Sequence, residues 1–182
     1  MNMSIPDGVY PTMLTPFTED NRVDYRALEQ LIAWYYERGV RGLFAICQSS
    51  EIFFLSFEER LEILRFVMAH KPKDVTVVAS GHTADDPAEQ IEQAKRLIDT
   101  GIDAYVLISN RLAKENESDD VYLSHMEDFL RELPEIPLGV YECPYPYKRL
   151  LSERVLSEMA KSGRFCFIKD TCCDLDRIRR RL

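Results

Sequence analysis

Short apolar runs recur along the chain at positions 9–14, 43–47, 75–79, 105–108, 138–141 and 165–168. Each is brief and rich in branched or aromatic side chains, the pattern of strands buried on both faces of a parallel sheet. The stretches between them repeat apolar positions three and four residues apart, as amphipathic helices do. Leu28, Leu31, Ile32 and Tyr35 form one stripe, and Leu61, Leu64 and Met68 a second. Ile91, Ala94 and Ile98 make a third, Tyr122, Met126, Phe129 and Leu130 a fourth, and Val155, Leu156 and Met159 a fifth. A sixth begins at Asp174, Leu175 and Ile178. Start and stop signals bracket the stripes. Asp24 and Ser152 suit N-caps, Ser56 with Glu59 reads as a capping box, and Asp86-Pro87 as a cap followed by a first-turn proline. Gly39, Gly101 and Gly163 stand where helices would stop.

Six strand–helix repeats of roughly 30 residues argue for an α/β fold with a parallel sheet. The sheet is either a barrel or an open, doubly wound one, and periodicity does not choose between them. No glycine-rich phosphate loop follows any strand, and the first strand runs into Thr15-Pro16-Phe17, which counts against a dinucleotide-binding sheet. A (β/α)8 TIM barrel needs about 250 residues. Read as a barrel, residues 1–182 are a single incomplete domain carrying about the first six β/α units. Strands 7 and 8 and any C-terminal helical region are lacking, so the chain is expected to be a fragment of a longer protein. The first and sixth strands would then be open edges.

Of the 182 residues 46% are apolar, enough for one globular core. A net charge of −8 without a long basic run disfavours nucleic acid and anionic membranes as partners. The one basic spot, Arg177, Arg179, Arg180 and Arg181, reads as the polar face of a helix. No run approaches a membrane span, and the first residues lack a signal pattern, so a cytoplasmic location is expected. The five cysteines include no CxxC pair, which argues against a disulfide framework and a zinc knuckle.

Lys169 ends the sixth run, and strand alternation puts it on one face with Phe165 and Phe167. An amine buried at the C-terminal rim of a barrel loses preference for its charged form and can attack a carbonyl. The alternative is a lysine that has merely reached water. Tyr141 ends the neighbouring run on the same face as Gly139. Its phenol can donate or accept a proton beside an imine, or simply be a core aromatic with a satisfied hydroxyl. Gln48-Ser49-Ser50-Glu51 follows the second run as a polar turn suited to a carboxylate. His82 could face the same rim as a substrate contact or be an ordinary loop histidine. His70 and His125 fall on helices without a metal-ligand spacing.

These segments together resemble the dihydrodipicolinate synthase / N-acetylneuraminate lyase family. Val9-Tyr10-Pro11-Thr12-Met13-Leu14-Thr15-Pro16-Phe17 is similar to its opening strand, which ends in Thr-Pro-Phe or Thr-Pro-Met. Gln48-Ser49-Ser50-Glu51 falls on its Gly-Thr-Thr-Gly-Glu turn, Tyr141 on its catalytic tyrosine and Lys169 on its Schiff-base lysine. The resemblance spans essentially the whole chain and implies a TIM barrel. It further implies a lyase that condenses Lys169 with pyruvate or another 2-keto acid, with Tyr141 as proton shuttle and Gln48, Ser49 and Ser50 binding substrate. No metal or organic cofactor is implied, and a homo-oligomer, dimer or tetramer, is. The departures are Gln48 in place of the relay threonine, Glu142 in place of an asparagine, and Pro146 in place of a substrate-binding arginine. Ser109-Asn110-Arg111-Leu112 stands where the synthases have Thr-Pro-Tyr-Tyr. These point away from dihydrodipicolinate synthesis itself, towards another aldolase, a sugar-acid dehydratase, or a non-catalytic carboxylate-binding relative.

Overall fold

In the computed structural model, which describes residues 4–181, helices and strands alternate. In chain order they are α1 (Tyr25–Glu37), β1 (Gly42–Phe44), α2 (Phe57–His70), β2 (Thr76–Ala79), α3 (Pro87–Ile98) and β3 (Ala104–Ile108). Next come the one-turn α4 (Ser109–Leu112), α5 (Asp119–Glu132), β4 (Leu138–Tyr141), α6 (Glu153–Ser162), β5 (Phe165–Lys169) and α7 (Leu175–Arg181). The expected caps close the helices. Asp24 accepts from the Ala27 N–H, Asp86 from Ala88, and Ser152 from Val155. Ser56 and Glu59 form the reciprocal capping box. Each such cap contributes about 1 kcal/mol by satisfying first-turn donors that the helix leaves open. Gly163 ends α6 with φ +67°, a conformation that a side chain would strain.

All five strands run parallel, and their order in the sheet is their order in the chain. A doubly wound sheet reverses its order at a switch point; this one does not. The sheet also curls, because the Phe44 ring on β1 meets the Tyr141 ring on β4 edge-on at 6.2 Å with two strands between them in the order. The architecture is therefore a partial (β/α)8 barrel, with helices packed outside the curved sheet. The apolar stripes read from the sequence supply that outer layer, including Leu28 and Ile32 on α1, Leu61 and Leu64 on α2, and Tyr122, Met126 and Phe129 on α5, all buried. Among the described residues no helix is long and apolar enough to cross a membrane.

Two expectations change. The first run, 9–14, is not a full strand. It makes a single bridge, Thr12 opposite Phe44, through Phe44 N–H to Pro11 O (3.0 Å) and Met13 N–H to Phe44 O (2.9 Å). Pro11 has no N–H to extend the ladder, and Val9 and Leu14 are 71% and 59% exposed rather than buried. The second change lies in β5. Leu138 pairs with Phe165 but Gly139 with Phe167, so Cys166 is an inserted bulge residue. The bulge breaks the alternation between Phe165 and Phe167. Phe167 and Lys169 keep a common face; Phe165 leaves it and lines a cavity against α6 with Leu156 and Met159.

Candidate active site

Parallel pairing puts Tyr141 and Lys169 directly side by side at the C-terminal ends of β4 and β5. The Lys169 Nζ lies 3.7 Å from the centre of the Tyr141 ring. Beneath them, Gly139 has no side chain, and the Phe167 ring occupies that space. A cavity of 340 Å³ runs along this face, lined by Tyr10, Phe44, Val78, Phe167 and Lys169. The Tyr141 hydroxyl reaches Gln48 Oε1 at 3.3 Å across the curved sheet. Lys169, Tyr141 and Gln48 are thus brought together from β5, β4 and the turn after β1.

Two thiols lie beside Gln48, and sequence reasoning passed over both. Cys143 Sγ donates to the same Gln48 Oε1 at 3.4 Å, and Cys47 is buried immediately before Gln48. The available signal was position: Cys143 lies two residues beyond Tyr141. Burial holds the Lys169 amine below its ordinary pKa, the nearby thiols opposing this only in part. Burial also raises the Tyr141 phenol above its ordinary value, so it stays protonated. Cys143 is likewise raised by burial. The site therefore pairs an amine eased towards neutrality with a protonated phenol.

Gln48–Ser50 forms a short 3-10 turn. Its first two N–H groups, on Gln48 and Ser49, lack intrahelical acceptors, and Ser49 is exposed. Ser50 is placed differently from its neighbours. Its hydroxyl is fully buried, donating to Met13 O at 2.6 Å and accepting from Cys47 N–H at 3.2 Å. Thr15 Oγ1 donates to Ser50 O at 2.8 Å. Ser50 therefore pins the N-terminal segment to the turn, and its hydroxyl is already committed.

His82 is not at the rim. It is fully buried between sheet and helices, 5.1 Å from the Phe129 ring. Its Nε2 accepts from Ile108 N–H (3.1 Å), which leaves Nδ1–H to donate to Tyr105 Oη (2.8 Å). Burial, with Arg111 and Arg60 nearby, lowers its pKa to about 3. Histidine at the end of a buried strand has room here because the phenol and the amide satisfy both ring nitrogens.

The loops that depart from the family pattern hold one another. Asn110 Nδ2 donates to the carbonyls of Cys143, Tyr145 and Tyr147 (2.9, 2.8 and 2.6 Å), and the Tyr147 hydroxyl returns to Asn110 O (2.6 Å). Tyr145 instead packs against Phe53, with ring centres 5.0 Å apart and the planes tilted by 58°. Behind β4, Glu142 is fully buried. It accepts from Leu151 N–H and from Arg181, and Arg181 also bonds Asp170. Arg181 is thus 6% exposed and paired inwards and departs from the polar helix face expected of the basic cluster, whereas Arg179 and Arg180, 75% and 56% exposed, keep to it. A carboxylate just past β4 overrides the helix pattern, since a buried Glu requires a cation or donors. Among the described residues no three His, Cys, Asp or Glu side chains converge as metal ligands.

A singly wound parallel sheet with polar side chains gathered at its strand C-termini is the arrangement of barrel enzymes. The chain belongs to the Dihydrodipicolinate synthetase family, whose profile matches residues 5–182. It is 26% identical over 174 residues to a 4-hydroxy-tetrahydrodipicolinate synthase of Brachyspira hyodysenteriae, covering 95% of this chain and 58% of that protein. An uncharacterised DapA-like lyase of Pyrococcus horikoshii is 33% identical over 142 residues, 76% of this chain and 46% of its own length. Among solved structures, a prophage protein of the dihydrodipicolinic acid synthase family from E. coli K12, in complex with pyruvate, superposes with a TM-score of 0.84. It is 26% identical and is matched over 94% of this chain and 57% of its own length. The chain spans about half the length of the curated relatives it matches. The family and its neighbours are those of lyases.

Proposed function

We propose that residues 1–182 carry, as one incomplete barrel domain, the Schiff-base centre of a lyase acting on pyruvate or another 2-keto acid. The observation that carries this reading is the pairing of Lys169 with Tyr141, its amine lowered by burial and set 3.7 Å over the phenol ring at the barrel mouth. A neutral Lys169 attacks the keto carbon, and the carbonyl oxygen takes a proton to give a carbinolamine. The protonated Tyr141 supplies that acid, and loss of water leaves the iminium. The iminium then draws electrons from the neighbouring carbon, so that a bond there can form or break. Gln48, Ser49 and the open N–H groups of the turn receive the substrate carboxylate, and Ser50 holds the turn in place. The pyruvate complex of the structural neighbour supports the substrate class.

Gln48, Glu142 and Pro146 favour an aldolase other than dihydrodipicolinate synthase. A sugar-acid dehydratase uses the same lysine and differs in its product. The reading includes a cytoplasmic homo-oligomer, dimer or tetramer, with neither metal nor organic cofactor. Borohydride trapping with pyruvate and a panel of 2-keto acids, followed by peptide mapping, tests it. A reduced adduct on Lys169 that is absent from Lys169→Ala is expected, and Tyr141→Phe should slow turnover while still being trapped. Failure of every keto acid to label the folded protein would overturn the reading.

A further inference from the structure

Among the described residues β5 stands last in the sheet order, so its backbone pairs only with β4. The bonds that hold its C-terminal end converge on Glu142. The Glu142 N–H donates to Lys169 O at 3.2 Å. Its carbonyl accepts from Thr171 Oγ1 at 2.7 Å, and its carboxylate from Thr171 N–H at 3.2 Å. Lys169 is thus gripped at its own carbonyl and again two residues further on. The same carboxylate accepts from Leu151 N–H at 2.7 Å, just ahead of α6. Arg181 of α7 donates to both of its oxygens (2.7 and 3.2 Å), to Leu151 O (3.0 Å) and to Asp170. A fully buried carboxylate bonded in this way resists movement of its partners, because each bond lost would leave it unsatisfied.

We propose that Glu142, locked by Arg181, is a positioning residue that holds Lys169 over the Tyr141 ring. The inference rests on the Schiff-base reading for its chemical sense. Glu142 follows Tyr141 directly, and Tyr141 pairs in register with Lys169. Bonds from Glu142 to both sides of residue 170 therefore fix where the Lys169 side chain leaves the strand. The carboxylate acts by position rather than by field, since Arg181 meets its charge at 2.7 Å. The titratable groups facing the amine belong to other segments: Tyr141 beneath it, Cys47 and Cys143 beside Gln48, and Asp7 and Tyr10 along its cavity. Asp170, next in the chain, is held by Arg181, and the Lys148 ammonium bonds Thr171 O. A loosened β5 end would let the half-buried amine swing into water, where its charged form is solvated and attack on a keto carbon slows.

The test reads the Lys169 amine directly, by acetic anhydride labelling across pH with peptide mapping, beside the rate of the borohydride-trapped pyruvate adduct. Glu142→Gln is nearly isosteric, but in either orientation its amide nitrogen meets N–H donors, so one side of the clamp opens. Thr171→Val removes one tether without altering any charge. The labelling midpoint should rise by about one pH unit in Glu142→Gln and by less in Thr171→Val. The neutral fraction then falls about tenfold at pH 7, and adduct formation in Glu142→Gln should slow by about that factor. Loss of a negative field alone would move the midpoint of Glu142→Gln downwards, because removing the charge favours the neutral amine. A merely structural role would lower the urea midpoint and leave the labelling midpoint of the folded protein where it was. A labelling midpoint unmoved in both variants, or lowered in Glu142→Gln, overturns the inference and leaves the Schiff-base reading standing. Absence of an adduct with every 2-keto acid in the unaltered protein overturns the Schiff-base reading, while the labelling still decides whether Glu142 holds Lys169.

Discussion

Gly139→Ala probes the floor of the site. A methyl group built on Gly139 would lie 2.2 Å from Phe167 Cζ and 2.5 Å from each flanking ring carbon. Carbon atoms in contact sit about 3.5–4.0 Å apart, so the ring must retreat by more than about 1 Å. Forcing a packed group aside costs about 1–3 kcal/mol. The substitution also stiffens the unfolded chain, which offsets about 0.4–1 kcal/mol. The net expectation is a loss of about 0.5–2 kcal/mol. The shorter side chain of Phe167→Leu removes the clashing ring end. In that background Gly139→Ala should be neutral or slightly stabilising, giving a coupling energy of about 1 kcal/mol or more.

Urea denaturation followed by far-ultraviolet circular dichroism on the four proteins of the cycle measures this coupling. The functional consequence follows from geometry, because Phe167 lies two residues before Lys169 on the same strand face, as Gly139 does before Tyr141. Displacing the ring should therefore slow adduct formation at Lys169 in Gly139→Ala, and the double variant should recover part of that rate. An equal cost of Gly139→Ala in both backgrounds would refute the argument, since the glycine would then owe its place to backbone conformation rather than to the ring.

Three further outcomes are expected. His82 stays neutral in the folded protein down to about pH 3 but takes up a proton near 6.5 when unfolded. The unfolded state therefore binds more protons between those values. Its stabilising contribution is complete above pH 6.5 and is lost as pH falls, by up to about 1.4 kcal/mol per unit. Denaturation midpoints of His82→Asn should fall less steeply over this window, and parallel slopes would count against the buried neutral ring. Ser50→Ala should cost about 1–3 kcal/mol in urea denaturation, because the Met13 carbonyl and the Cys47 N–H lose their buried partner. Arg181→Ala strands the buried Glu142 carboxylate and should cost about 3–5 kcal/mol. Arg181→Met combined with Glu142→Leu should cost less than Arg181→Ala alone; a larger loss in the double variant would show that the pair is not the source.

The parts of this fold that are written locally were readable from the chain. Caps such as Ser56 with Glu59, and stops such as Gly163, depend on residues within a few positions of one another, so their signals survive without tertiary knowledge. The buried strands were equally plain, because a run such as Tyr105–Ile108 has no polar face to obscure it. What the pattern missed depends on partners distant in sequence. The bulge at Cys166 exists only relative to β4, and alternation cannot register an inserted residue whose partner strand is unspecified. Arg181 looks solvated on its own helix; only the burial of Glu142, 39 residues earlier, turns it inwards. His82 carries a loop-like context of Gly81 and Thr83, yet Tyr105 and the Ile108 amide draw it into the core.

The candidate site follows the same rule. Lys169 and Tyr141 were legible as strand ends, whereas the meeting of Tyr141, Gln48 and Cys143 required the sheet to curl until positions 93 and 95 residues apart touched. It is this non-local meeting, not any motif, that sets the polar neighbours of the Tyr141 phenol. A glutamine at residue 48 reads in the sequence as one more polar turn residue. Only the curled sheet places it against a buried phenol, where its carboxamide oxygen receives the Tyr141 hydroxyl.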